Sequence, residues 1–250
     1  MSRFIIMMPY YESPEMLWEH IRYWLQYPIW LTTKVGVILV DDGSPTKPAE
    51  EVLRTATLPY FPIELYRIKE NIPWNHGGAK NLGMHVVQGQ DTWVLNTDMD
   101  LVMDAGNMER LLSKKLSPRN IYRPGRLRRL EDGGLEVMKT HKETFIMTRE
   151  MFWKIGGYDE DLAGYWNGVF MGFMRNMTRY GKLFELKDVF LLNYSGFKDA
   201  SVTEWGRGHT QWDAKPKLNH HSRWLYRPKN PLRFTWERVF TSGCEVDGKG

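Results

Sequence analysis

Two carboxylates one residue apart, Asp98 and Asp100, follow the apolar run Thr92–Leu95 and the polar pair Asn96-Thr97. At the end of a buried strand such a pair can project toward a single divalent cation. Carboxylate oxygens suit Mg2+ or Mn2+, ions that usually keep water and phosphate oxygens as their remaining ligands. A cation held there stabilises negative charge developing on a departing phosphate group. Taken alone, an Asp-x-Asp is equally what a capped surface turn looks like.

A second group, Asp41-Asp42-Gly43-Ser44, closes the run Val35–Val40. A carboxylate at a strand end accepts hydrogen bonds from a base N–H or from ribose hydroxyls, and Gly43 permits the turn. An Asp-Gly turn that caps the next helix would read the same way. The third group runs from Asn71 to Gly83 through Asn75-His76-Gly77-Gly78-Ala79-Lys80-Asn81. Small residues opening a helix let its N-terminus approach a ligand, and Lys80 can reach a phosphate. The Gly-Lys-Ser/Thr ending of a Walker loop is absent.

These groups need elements to hold them. Phe4–Met8, Val35–Val40, Ile63–Ile68 and Thr92–Leu95 read as buried strands. Pro14–Gln26 and Gly77–Val87 read as helices, the first with Ser13 as N-cap before Pro14. Strand and helix in alternation predict an α/β fold with a mostly parallel central sheet flanked by helices. Ligands then bind beyond the C-terminal strand ends, where Pro9–Glu12, Asp41–Ser44 and Asp98–Asp100 all fall. Further on, Met108–Leu116 predicts a short helix. Residues 118–140 predict a basic hairpin turning at Asp132-Gly133-Gly134. Thr144–Trp153 is apolar, Asn167–Tyr180 is helical in pattern, and Thr235–Phe240 suggests a short docked helix or strand. The organisation expected is a binding half over 1–105 and a second half with a C-terminal extension over 106–250, joined as one compact unit.

Composition narrows the class. With 42% hydrophobic and 26% charged residues among 250, the chain is ordinary globular material, not a disordered one. Its one cysteine, Cys244, rules out an internal disulfide and a cysteine-based zinc site. The apolar run at Phe4–Met8 is too short for a signal peptide or a membrane span, and a cytoplasmic protein is expected. The net charge of +4 is clustered: Arg119, Arg123, Arg126, Arg128 and Arg129 form one group, and seven basic residues from Lys215 to Arg238 form another. Such patches attract phosphates, an anionic glycan, a lipid headgroup or nucleic acid, or serve as solvated faces.

In order and spacing, five segments resemble glycosyltransferase family 2 and its GT-A relatives: Met8–Glu12, Val40–Ser44, Asn71–Gly83, Asn96–Asp100 and Phe152–Glu160. The resemblance covers roughly residues 3–180. It implies a GT-A fold, with an elaborated acceptor-binding part toward the C-terminus. It also implies a nucleoside diphosphate sugar as donor, and Mn2+ or Mg2+ as cofactor. Pro9, Tyr11, Glu12, Asp42 and Asn71 would line the nucleoside side. Lys80 and Asn81 would meet the diphosphate or hold the helix start. Asp98 would meet ribose or metal, and Asp100 the metal. GT-A enzymes often add a late histidine to the metal site; His209 is the candidate, with His220 and His221 as alternatives.

The sequence departs from the family at one place. Inverting members carry an acid beyond the Gly-Gly-Tyr-Asp-Glu segment as general base, whereas Gly164–Arg175 contains none. Either Asp161, Asp159 or Glu160 takes the acceptor's proton, or the chemistry departs from the family's: a retaining reaction, an unusual acceptor or lost activity. His141 could face the acceptor, and Tyr165, Trp166, Trp205 and Trp212 could stack on a sugar or fill a core. The function expected is transfer of a sugar to a hydroxyl acceptor, a glycan in the leading case. The alternatives are a hydroxylated base of nucleic acid as acceptor, a non-catalytic binding module on the same fold, and a nucleotidyltransferase.

Overall fold

A computed structural model describes residues 3–130, 132–163, 168–193 and 232–242. Alternation along the first strand, β1 (Phe4–Tyr10), assigns its side chains to two cores. Phe4, Ile6, Met8 and Tyr10 enter one, while Met7 and the packed Ile5 enter the other. The first core is covered by α1 (Pro14–Trp24), the short α2 (Ile29–Thr32), α3 (Ala49–Thr55) and α5 (Ala105–Leu112). The second is covered by α4 (His76–Val86), α6 (Arg149–Ile155) and α7 (Gly168–Tyr180). β2 (Val35–Asp41) is buried at every residue, as a strand covered on both faces should be.

β3 (Ile63–Ile68), β2, β1 and β4 (Trp93–Asn96) pair in parallel in that order. Beyond β4 the sheet is mixed. β8 (Phe145–Thr148) is antiparallel to β4, and β6 (Asn120–Arg129) is antiparallel to β8. β9 (Lys182–Asn193) is parallel to β6, and the two-residue β5 (Leu101–Val102) pairs with its last residues. β7 (Leu135–Met138) folds back on β6 as the expected basic hairpin. β10 (Trp236–Ser242) lies antiparallel on β3, so residues from both halves of the chain share one sheet.

α1 begins at Pro14 as expected, but Ser13 makes no side-chain cap. Its carbonyl takes the Leu17 N–H instead, at 3.2 Å, while its buried hydroxyl has no partner among the described residues.

Candidate active site

Residues 97–100 bridge β4 and β5, so the sheet holds them at both ends. Thr97 N–H donates to the Met7 carbonyl at 3.0 Å, continuing the register with β1. Two side chains of the first core fix the rest: His20 Nε2 donates to the Met99 carbonyl at 2.9 Å, and Tyr27 Oη to the Met103 carbonyl at 2.8 Å. A carbonyl only accepts, so the His20 proton sits on Nε2. The acids are thus carried on backbone anchored from four directions.

A cluster of opposite charges surrounds Asp98. Its Oδ1 lies 2.8 Å from both Lys80 Nζ and His76 Nε2, and its Oδ2 lies 3.3 Å from His141 Nδ1. Glu143 Oε2 stands 3.2 Å from His76 Nδ1 and 4.0 Å from Lys80 Nζ. The Lys80 side chain is fully buried and also donates to the Glu143 carbonyl at 3.0 Å. A buried ammonium is tolerated only when so paired. Burial works against the charge of Asp98, but Lys80, His76 and His141 outweigh it and hold the carboxyl well below its usual range. Glu143 is likewise lowered, burial being overcome chiefly by the His76 hydrogen bond and charge. Burial and Lys80 disfavour His76 protonation, yet Asp98 and Glu143 prevail and lift it to about 9. Asp100 behaves oppositely: burial and repulsion from Asp98 raise it.

The nucleoside-side expectations divide. Asp41, not Asp42, closes its turn: its two oxygens take the N–H groups of Ser44 at 2.8 Å and Ala49 at 3.0 Å, capping α3. Asp42 is left beyond the strand end, where Asn75 Nδ2 donates to it at 3.2 Å. Gly43 is at φ 73°, and a Cβ there would lie 2.5 Å from the Glu70 carbonyl oxygen. The loop carrying Asn71 therefore packs directly on the Asp42 turn. Tyr11 is half-buried just past β1. Pro9 and Glu12 are both engaged by the chain. Pro9 is buried inside β1 opposite Val40. The Glu12 carboxylate is spent on the 46–47 loop, accepting from Thr46 N–H at 2.9 Å, Lys47 N–H at 3.0 Å and the Thr46 hydroxyl. Glu12 and Trp74 both have positive φ, 47° and 46°, a strain that gathers at functional loops.

Asn81 and Glu160 bond to the chain itself. The buried Asn81 amide donates to the Tyr158 carbonyl at 2.9 Å and to Glu160 Oε1 at 2.8 Å, and accepts from Tyr158 N–H at 2.8 Å. Glu160 further accepts the N–H groups of Leu232 at 2.8 Å and Arg233 at 3.0 Å. With both oxygens accepting hydrogen bonds, Glu160 ties the lead of β10 to α4. Gly157, at φ 69°, lets the chain pass Asn81: a Cβ there would be 2.8 Å from Asn81 Oδ1. Asp159 accepts from Asp161 N–H at 3.1 Å, and Asp161 pairs with Arg233. His209, His220, His221, Tyr165, Trp166, Trp205 and Trp212 lie outside the described residues.

The family model for "Glycosyl transferase family 2" matches residues 5–174. The chain belongs to glycosyl transferase family 2. Its fold is also that of solved glycosyltransferases. S. aureus TarS residues 1–349 superposes with a TM-score of 0.58 at 13% identity, covering 76% of this chain and 60% of that one. The mannosyltransferase PcManGT from Pyrobaculum calidifontis, in complex with GDP-Man and Mn2+, gives 0.54 at 15% identity, covering 77% and 56%. TarS 1–349 is also known in complex with UDP-GlcNAc. The chain thus spans about three-fifths of these structures. No curated protein sequence matches.

The family implies a divalent cation, and the residues fit one. Ligand atoms of His76, Asp98 and Glu143 lie within 4.8 Å of one another. Carboxylates suit Mn2+ and Mg2+, and His76, raised to about 9 between Asp98 and Glu143, would give up its proton to ligate. Asp100, raised by burial and by its acid neighbour, also gains from added positive charge. The buried Thr97 hydroxyl just before the acids has no hydrogen-bond partner among the described residues. His76 and Glu143 were not read from the sequence. His76 lies inside the Asn71–Gly83 motif, and Glu143 one residue before the apolar Thr144 run; neither spacing marks a ligand.

Proposed function

We propose that this chain is a divalent-cation-dependent glycosyltransferase that moves a sugar from a nucleoside diphosphate donor to a hydroxyl acceptor, a glycan in the simplest case. One observation carries the reading: His76 and Lys80 of α4, Asp98 after β4 and Glu143 before β8 converge at the strand ends, with the Asp98 charge felt by Asp100. The donor complexes of PcManGT and TarS, on the same fold, support it.

Asp42 and the neighbouring Asn71 loop receive the nucleoside. Asp98, Asp100, His76 and Glu143 are the residues that would hold the cation, which supplies charge stabilisation for the departing diphosphate. Lys80 adds a fixed positive charge to the same place, and its burial keeps it there without reorganisation. Asp161 and Asp159 are the candidates for accepting the acceptor's proton, of which Asp161 needs only to leave its Arg233 partner. No helix among the described residues is long and apolar enough to cross a membrane.

Hydrolysis of a panel of nucleotide sugars, with and without Mn2+, tests the reading in wild type and Asp100→Ala. Metal-dependent release of nucleoside diphosphate from one donor, lost in the variant, is expected. Release of pyrophosphate would assign a nucleotidyltransferase instead.

A further inference from the structure

Across the sheet the polar groups stand in a row. Asp42 follows β2, Asp98 and Asp100 follow β4, His141 and Glu143 precede β8, and Arg126 is on β6, next beyond β8. β6 is antiparallel to β8, which is antiparallel to β4, so β6 runs in the direction of β4. Tyr122 of β6 lies opposite Ile146, and Leu95 of β4 lies opposite Ile146 from the other side. Arg126 is four residues past that level, at the end of the sheet where the acids stand. It is therefore on the far side of the acids from Asp42.

The other arginines of this strand have occupations. Arg123 is buried against the Phe145 ring at 5.1 Å and donates to the Lys142 carbonyl at 3.3 Å. Arg128 pairs with Glu136 at 2.5 Å, and Arg129 reaches the Tyr23 hydroxyl at 3.5 Å. Arg126 makes no side-chain hydrogen bond or ion pair among the described residues, and its Nε is buried without a partner. Its charge is felt by Asp100 nearby. Leaving a sheltered donor unmade is costly, and a guanidinium offers five donors in a planar fork matched to an oxyanion.

We propose that Arg126 binds an oxyanion of the acceptor, a phosphate or a carboxylate, on the side of the acid cluster opposite the nucleoside. The proposal rests on the transferase reading above. It makes the acceptor an anionic molecule, and Arg126 the residue that selects it.

The test follows backbone amide resonances of Gly125 and Leu127 in the full chain, with Mg2+ and UDP or GDP present, during titration with methyl phosphate or, separately, acetate. Saturable shifts are expected with one of the two anions, and the tighter one names the group. Arg126→Gln should weaken that binding roughly 10-fold or more, and Arg126→Lys, which keeps the charge, by less. A response equal in wild type and Arg126→Gln, or none with either anion while nucleotide still binds, would overturn the proposal. So would anion binding seen only when UDP and GDP are left out, which would place Arg126 with the donor. Failure of every nucleotide to bind would instead overturn the reading beneath it.

Discussion

Lowering the pH should strip stability from the backbone that carries the acids, through His20. This side chain is 1% exposed and packs 5.3 Å from the Trp24 ring. Its Nε2 serves the Met99 carbonyl, so a second proton must go on Nδ1, which is buried with no partner among the described residues. Burial accordingly lowers its pKa from 6.5 to about 4. The unfolded chain takes this proton near its ordinary value and the folded chain resists it. The contribution is therefore complete above pH 6.5 and is lost as pH falls toward about 4. At about 1.4 kcal/mol per unit, the full span is worth roughly 3 kcal/mol, of which about 2.5 is gone by pH 4.5. Other groups titrate in the same window. Asp98, Glu143 and Glu12, all lowered, also lose stability as pH falls, while Asp41 and Asp100, both raised, gain. Comparison with His20→Gln cancels these shared changes, and the glutamine amide can still donate to Met99. Urea unfolding at pH 7.5 and 4.5 should show wild type losing about 2.5 kcal/mol more than the variant. Equal losses in both proteins would refute the argument.

Three further outcomes follow from the same contacts. Lys80→Met removes a fully buried charge from Asp98 and should cost about 3 kcal/mol or more in urea unfolding, with nucleotide-sugar hydrolysis reduced as well. Gly157→Ala forces a Cβ toward Asn81 at positive φ and should cost about 1–3 kcal/mol, read as a fall in melting temperature. Glu160→Gln takes one acceptor oxygen from the lead of β10. Hydrogen exchange at Leu232 and Arg233 should then quicken by roughly 10-fold, with exchange in β1 and β2 unchanged.

Much of the fold was legible because its central strands are buried on both faces. Val35–Asp41 and Trp93–Asn96 therefore appear as unbroken apolar runs, and the acids that end them stand out. α3 was not foreseen: seven residues with three apolar positions give too little periodicity, and only Pro48 before Glu50 and Glu51 hinted at a helix start. β9 escaped because charges interrupt it, and its pairing with β6 shifts register between Pro124 and Gly125. At the site, Lys80, Asp98 and Asp100 came from local motifs. Glu143 joins them only through the β4–β8 pairing, and His76 only through the start of α4, contacts no spacing encodes. Asn81 and Glu160 show the converse. A polar residue in a ligand-binding motif reads the same whether its hydrogen bonds go to ligand or to the chain, and theirs go to the chain.

Under the proposed function, Asp98 and its neighbours bind a nucleoside diphosphate together with a divalent cation. Electron paramagnetic resonance of Mn2+, titrated into the full chain with each of UDP, GDP, ADP, CDP and dTDP, tests it most directly. Mn2+ binding should be strengthened by one of these nucleotides and weakened at least roughly 10-fold in Asp98→Asn. Binding unchanged in Asp98→Asn, or no nucleotide-dependent binding with any of the five, would contradict it.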